Sequence, residues 1–246
     1  MTTPAPVALI TGAARRIGAA ITRRLHADGY RVLIHHHQSR AEAAALQSEL
    51  NELRADSAAA LQADLAEFDR LPELVAQAIG RFGQLDALVN NASVFFPTPF
   101  GSTTPQQWQV LFDTNVRAPF FLAQAAAPHL RARGGGIVNI SDLYASRSLP
   151  HHAAYTMGKA ALEQMTRALA LELAPQVRVN AVAPGAILWP EQGKSDAERH
   201  AILQRVPLAR TGSAEDIADA VGWLLGHAGY VTGQILHVDG GRSALA

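Results

Sequence analysis

The 246-residue chain contains no cysteine, which excludes disulfides and thiolate-ligated metals and fits a reducing compartment. It has no excess of charge of either sign: 21 basic residues stand against 21 acidic ones, for a formal net charge of zero. That balance supplies no global field to attract nucleic acid or an anionic membrane. No uncharged apolar run approaches the ~18 residues that a membrane span needs. The opening MTTPAPVALITG lacks a basic leader and its apolar run breaks at Gly12, so the expectation is no signal peptide and a cytoplasmic protein. What is present is 48% hydrophobic and 17% charged residues, enough for one large α/β core and too apolar for disorder.

Short apolar runs alternate with helical patterns along the whole chain. Strand-like runs occur at Val7–Ile10, Val32–Ile34, Ala58–Leu61, Ala87–Asn90, Ile137–Ile140, Arg178–Val182 and Ile235–Val238. Amphipathic stretches of helical length lie at Ile17–Asp28, Ala41–Arg54, Leu71–Phe82, Pro119–Arg133, Ala153–Leu173 and Ala214–Leu225. The strand runs are almost continuously apolar, as strands buried on both faces are. This order predicts right-handed crossovers and a doubly wound, seven-stranded parallel sheet with helices on both faces, in a single domain over residues 1–246. The segment Trp189–Arg205 is less periodic and more charged, and is expected to hold a mobile helix on the substrate side.

Three residues carry the chemistry: Asp142, Tyr155 and Lys159. Tyrosine followed four residues later by lysine places both side chains on one helix face, where the ammonium favours the phenolate. Such a pair suits reduction of a polarised C=O or C=N bond, which needs a proton to match a hydride. On its own the spacing is also met by two solvated residues. The context is a strand that runs into Gly12 and a helix opened by Gly18, with Arg15, Arg16 and Ile17 between, where a dinucleotide pyrophosphate meets helix N-terminal amides. Arg16 stands where a further glycine is usual, and its guanidinium can face both the pyrophosphate and an anionic or enol-like substrate edge. After the second strand, His35, His37, Ser39 and Arg40 offer donors and no carboxylate precedes Glu42, which favours a 2′-phosphate and hence NADPH. A metal on the three consecutive histidines is not expected, because adjacent strand residues point to opposite faces.

Thr11-Gly12 to Gly18, Asp64-Leu65, Asn90-Asn91-Ala92, Asn115, Tyr155 to Lys159, Pro184-Gly185 and the tail Val238-Asp-Gly-Gly241 together resemble a classical short-chain dehydrogenase/reductase over essentially the whole chain. The resemblance implies a Rossmann-fold oxidoreductase, usually a homotetramer, in which Tyr155 transfers the proton and Lys159 binds the nicotinamide ribose and lowers the tyrosine pKa. Asn115 would order a water in the proton relay. Asp64 and Leu65 would meet the adenine, Asn91 the adenosine ribose region, and Pro184-Gly185 would border the nicotinamide.

Two departures narrow the resemblance. The catalytic serine's position, thirteen residues before the tyrosine, holds Asp142, with Ser141 just before it; the usual Asn-Asn-Ala-Gly ends in Ala92-Ser93, followed by Val94-Phe95-Phe96. With Arg16 and the HHHQS segment, these features resemble pteridine reductases. There the aspartate partners the tyrosine and the phenylalanine stacks the pterin against the nicotinamide. Substrate contacts would come from Arg16, Ser93, Phe95, Asp142 and Tyr155. An aromatic wall suits a flat heterocycle, and a carboxyl group near a ring nitrogen suits protonation of C=N. Several alternatives stay open. Asp142 could act only as a cap, and both phenylalanines could be core. Ser141 could serve as the missing serine of a carbonyl reductase. A non-catalytic NADPH sensor is a further class, although the intact relay residues argue against it.

Overall fold

The computed structural model describes residues 4–187 and 196–245. Strands β1 (Val7–Ile10), β2 (Arg31–His36), β3 (Ala58–Gln62), β4 (Ala87–Asn90), β5 (Gly136–Ile140), β6 (Arg178–Pro184) and β7 (Ile235–Val238) form one sheet in the order β3-β2-β1-β4-β5-β6-β7. Every pair is parallel. The helices are α1 (Arg16–Ala27), α2 (Arg40–Leu53), α3 (Leu71–Phe82), α4 (Pro105–Phe112), α5 (Ala118–Arg133), α6 (Ala153–Glu172), α7 (Asp196–Leu203) and α8 (Ala214–Gly226). Successive strand residues serve opposite faces: Ala8 and Ile10 pack with α1, α2 and α8, whereas Val7 and Leu9 pack with α3, α5 and α6. Both faces are therefore sealed, and the crevice where the winding reverses, between β1 and β4 at their carboxyl ends, is the place left for a ligand.

The expected elements are all present with edges shifted by one or two residues, and α4 is additional. Its start is written in Thr104–Gln107: the Gln107 N–H donates to the Thr104 hydroxyl at 3.2 Å and the Thr104 N–H to the Gln107 side chain at 2.9 Å. Between α4 and α5 the helical path widens into a π turn, Asp113–Arg117. Pro119 supplies the reason, since it has no N–H to donate to the Asn115 carbonyl four residues back. Of the expected 189–205 segment, residues 189–195 lie outside the described residues, and α7 occupies most of the remainder. Among the described residues no helix is long and apolar enough to cross a membrane.

The first crossover is packed backbone to backbone. A Cβ added at Gly18 would lie 2.2 Å from the Gly12 carbonyl oxygen and 2.7 Å from the Asn91 amide nitrogen. Gly18→Ala is therefore expected to destabilise the fold by about 1–3 kcal/mol by prising α1 from the turn. Urea denaturation measures it, and an unchanged midpoint would show that the turn opens freely.

Candidate active site

An open cleft of about 500 Å³ lies over the carboxyl ends of the strands, walled by the Gly12–Gly18 turn, His35–Ser39, Asp64–Ala66, Asn91–Val94 and Thr114. Its floor is knitted by short polar contacts. The Thr11 hydroxyl accepts from the Asn91 and Ala92 amides at 2.9 and 3.0 Å. The Asn91 side chain donates to the Thr11 and Gly12 carbonyls. Its amide group is thus a brace for the glycine turn, so what Asn91 can offer a ribose comes from its other atoms.

The expected 2′-phosphate donors divide. His35 is a correction: it is 2% exposed, its Nδ1 accepts the Gly12 N–H at 3.1 Å and its Nε2 meets the Ala63 carbonyl at 3.2 Å. Both ring nitrogens hold the turn to the sheet and neither is free to donate to a phosphate. Burial pushes its pKa down to about 4. Arg40, at the start of α2, is exposed and does not line the cleft. His37 and Ser39 do line it, and so does Arg15. His37 stands 3.6 Å from Asp64 and Arg15 stands 3.6 Å from Glu42, so each carboxylate at this end has a basic neighbour. His36 was not singled out by the sequence reading. It lines the cleft as well, and its Nδ1 is buried without a partner among the described residues. A buried, unpaired polar atom beside a glycine-lined turn fits a polar cofactor. Arg16 reaches the cleft from a left-handed backbone (φ 52°) that a glycine would adopt more easily. Leu65 and Ile17 give the cleft its apolar share.

The proton-transfer residues meet beyond that lining, where α6 faces the loop after β5, and Ser93, which lines the cleft, reaches Tyr155. The Tyr155 hydroxyl donates to Asp142 Oδ2 at 2.8 Å. Asp142 also caps the Leu143–Ala145 turn, its Oδ1 accepting the Tyr144 N–H at 2.8 Å, so the cap and the tyrosine partner are one residue. Lys159 is 2% exposed; its Nζ donates to the Ile140 carbonyl at 2.9 Å and lies 5.8 Å from the Tyr155 ring centre. Burial lowers the lysine pKa to about 8, against the pull of Asp142. The tyrosine corrects the expectation of an activated phenolate. Burial raises its pKa first, followed by the charge of Asp142 and the hydrogen bond to it, with Ser93 opposing. Asp142 is raised by burial, and contacts with Tyr144, Tyr155, Lys159 and Arg242 oppose that rise. The resting pair is a neutral phenol that donates to a carboxyl group.

Asn115 sits in the π turn with its side chain in three hydrogen bonds. Its Nδ2 donates to the Val94 and Leu111 carbonyls at 3.0 Å each, and its Oδ1 accepts from Ser93 at 2.7 Å. The two Nδ2 hydrogens are used up, so a water would have to meet the second lone pair of Oδ1 or the main chain. What the wide turn leaves without its regular helical donor is the Asn115 main-chain carbonyl. Ser141 is likewise a correction: it is buried and donates to Glu163 at 3.0 Å, on the core side of the loop. It cannot stand in for a serine beside Tyr155.

Phe95 is 54% exposed and is not core; it meets Tyr155 edge-on at 4.7 Å and stacks on His152 at 4.6 Å. Phe96 is half-buried against Leu111, Ala154 and Tyr155. His152 was missed because a stacking partner separated by 57 positions leaves no local signal. Pro184 ends β6, and Gly185 packs on β7, where an added Cβ would lie 2.6 Å from the Asp239 Cα. Among the described residues no group of three or more His, Cys, Asp or Glu is placed to hold a metal.

His35 makes the pH response of the fold predictable. The unfolded imidazole takes its proton near pH 6.5 and the folded one only near 4, so stability is whole above 6.5 and falls as pH drops between the two values. Urea denaturation at pH 7 and pH 4.5 should show a loss up to about 3 kcal/mol larger in the unmodified protein than in His35→Asn. Equal losses would overturn the assignment of that proton.

A family model described as enoyl-(acyl carrier protein) reductase matches residues 12–243. A pteridine reductase 1 of Leishmania tarentolae is 39% identical, the match covering 97% of this chain and 96% of the relative. A 3-oxoacyl-[acyl-carrier-protein] reductase FabG of Staphylococcus aureus is 37% identical over 95% of this chain and 96% of its own length. With the parallel sheet, the glycine turn and the Asp142–Tyr155–Lys159 site in place, the chain belongs to the classical short-chain dehydrogenase/reductase family, oxidoreductases that use a nicotinamide dinucleotide.

Proposed function

We propose that this protein is an NADPH-dependent pteridine reductase that takes the C=N bond of a 7,8-dihydropterin, or of a dihydrofolate-like ring, to the tetrahydro level. The observation that carries the reading is the 2.8 Å bond from Tyr155 to Asp142 beneath the exposed Phe95 ring. A bound nicotinamide supplies the hydride to carbon, and the protein must supply the proton to nitrogen. Tyr155 gives its phenolic proton, and a carboxyl group whose pKa burial has raised is suited to returning one to the phenolate from solvent. Lys159, anchored on the Ile140 carbonyl, supports the phenolate as it forms. Phe95 presents a flat apolar face, worth about 1–3 kcal/mol to a ring stacked on it.

The second reading is carbonyl reduction, favoured by the likeness to the 3-oxoacyl reductase. Against it stands Asp142 at the tyrosine's partner position, with Ser141 turned into the core and Ser93, the serine that does reach Tyr155, donating to Asn115. Following NADPH oxidation with dihydrobiopterin, dihydromonapterin, dihydrofolate and a 3-oxoacyl thioester separates the two. Turnover of the thioester alone would sink the pterin reading. Asp142→Ser is expected to cut pterin turnover at least about tenfold and to change the shape of its pH–rate curve, because two coupled groups become one. Any ketone activity should survive or rise. Full pterin activity with an unaltered profile would reduce Asp142 to a cap.

NADPH is the cofactor in this reading because His37, Ser39 and Arg15 gather where a 2′-phosphate would lie. It should bind at least about tenfold more tightly than NADH, a difference of ~1.4 kcal/mol, in a fluorescence titration. Equal affinities would refute that assignment. A homotetramer, as the resemblance implies, in the cytoplasm completes the proposal.

A further inference from the structure

The loop that carries Asp142 leaves the sheet at Ile140 and has only the short Leu143–Ala145 turn as regular structure before α6. Past Ser141, whose N–H still donates to the Val182 carbonyl and whose hydroxyl donates to Glu163, the segment has no ladder hydrogen bonds and is placed by whatever side chains tie it down. There, ties come from the C-terminal tail. Asp239 accepts the Gly241 and Ser243 amides at 2.9 and 2.6 Å, and left-handed glycines at 240 and 241 (φ 65° and 86°) turn the chain back toward the loop. Arg242 then donates to the Tyr144 hydroxyl at 3.0 Å, with its guanidinium 5.5 Å from the ring centre. In return, Arg147 donates to the Ser243 carbonyl at 2.6 Å and to the Leu245 carbonyl. Tyr144 is the residue whose N–H holds Asp142 Oδ1, while Asp142 Oδ2 receives Tyr155.

We propose that Arg242, acting through Tyr144, and Arg147, acting through the tail carbonyls, are positioning residues that latch the C-terminal tail onto the 142–147 loop and hold Asp142 in register with Tyr155. The inference rests on the reading of Asp142 and Tyr155 as the proton-transfer pair. The latch has an electrostatic side. The groups that bear on the Asp142 carboxyl are Tyr155 and Lys159 from α6, the Tyr144 N–H from its own loop, and Arg242 from the tail. Lys159 and Arg242 are the two cations among them, and both favour the carboxylate against burial. Loss of Arg242 removes one of these cations and slackens the loop together, so Asp142 should titrate higher and sit less well against Tyr155.

The test uses the full chain with NADPH and whichever substrate the unmodified enzyme turns over, a dihydropterin or a 3-oxoacyl thioester. Failure of the pterin reading then appears in the unmodified enzyme, and failure of the latch appears only in the variants. In the pH dependence of kcat/KM, Asp142→Asn identifies the limb that belongs to the carboxyl group. Arg242→Gln is expected to move that limb up by about half a pH unit or more and to lower kcat several-fold, with NADPH affinity unchanged. Arg242→Lys, which keeps the charge, should return the limb toward its original position. Tyr144→Phe and Arg147→Gln, which break the latch from the loop side, should lower kcat without changing NADPH affinity, and they serve where the Arg242 variants fail to fold. Original kcat and pH profile in Arg242→Gln overturn the proposal. So does a loss of kcat that only follows a loss of thermal stability and is not reversed by lysine, and so does original kcat in both loop-side variants.

Discussion

A phenol and a carboxyl group share a hydrogen bond at the edge of a sheet whose two faces are closed, and much of the site follows from holding them there. Tyr155 comes from α6, which packs on the sheet through Leu162, Met165 and Leu169. Asp142 comes from the loop that leaves β5. A buried carboxyl group costs free energy unless its oxygens are engaged, and here one oxygen takes a main-chain N–H and the other takes the phenol. Each partner raises the proton affinity of the tyrosine or answers that of the aspartate. The pair therefore rests as donor and acceptor and does not present a bare phenolate.

The cofactor end obeys the same rule of engaged polar groups with a different outcome. Asn91 and His35 look like ligand-binding residues in the sequence, and the structure uses them, together with Thr11, to hold the Gly12–Gly18 turn against β4 and β2. Their work is to fix the backbone amides that a pyrophosphate would meet. The residues left with open polar atoms, His36 and His37 with Ser39 and Arg15, form the rim.

Similarity to relatives places the protein in its family and leaves the substrate to the site, because a pterin enzyme and a 3-oxoacyl enzyme match nearly equally well. The difference rests on a few side chains. Asp142 faces Tyr155 where a carbonyl reductase would present serine, Ser141 is committed to Glu163, and Phe95 stands exposed over the pair.

The amino-acid sequence determined the sheet and most of its helices, because almost continuous apolar strands and 3.6-residue periodicity are local properties of the chain. It also determined that Tyr155 and Lys159 share a face and that Asp142 stands thirteen residues before the tyrosine. The helix at Pro105–Phe112 left a signal in the Thr104–Gln107 capping pair, but its weak apolar periodicity hid it. Only the tertiary structure decided which polar residues remain free for a ligand. His35 lost that freedom to Gly12, 23 positions away, Asn115 gave its Nδ2 hydrogens to Val94 and Leu111, and Ser141 was taken by a glutamate on α6. The structure also brought His152 to Phe95 and Arg242 to Tyr144. Hydrogen bonds and ring contacts between distant segments depend on where the packed elements end, and no local pattern records that.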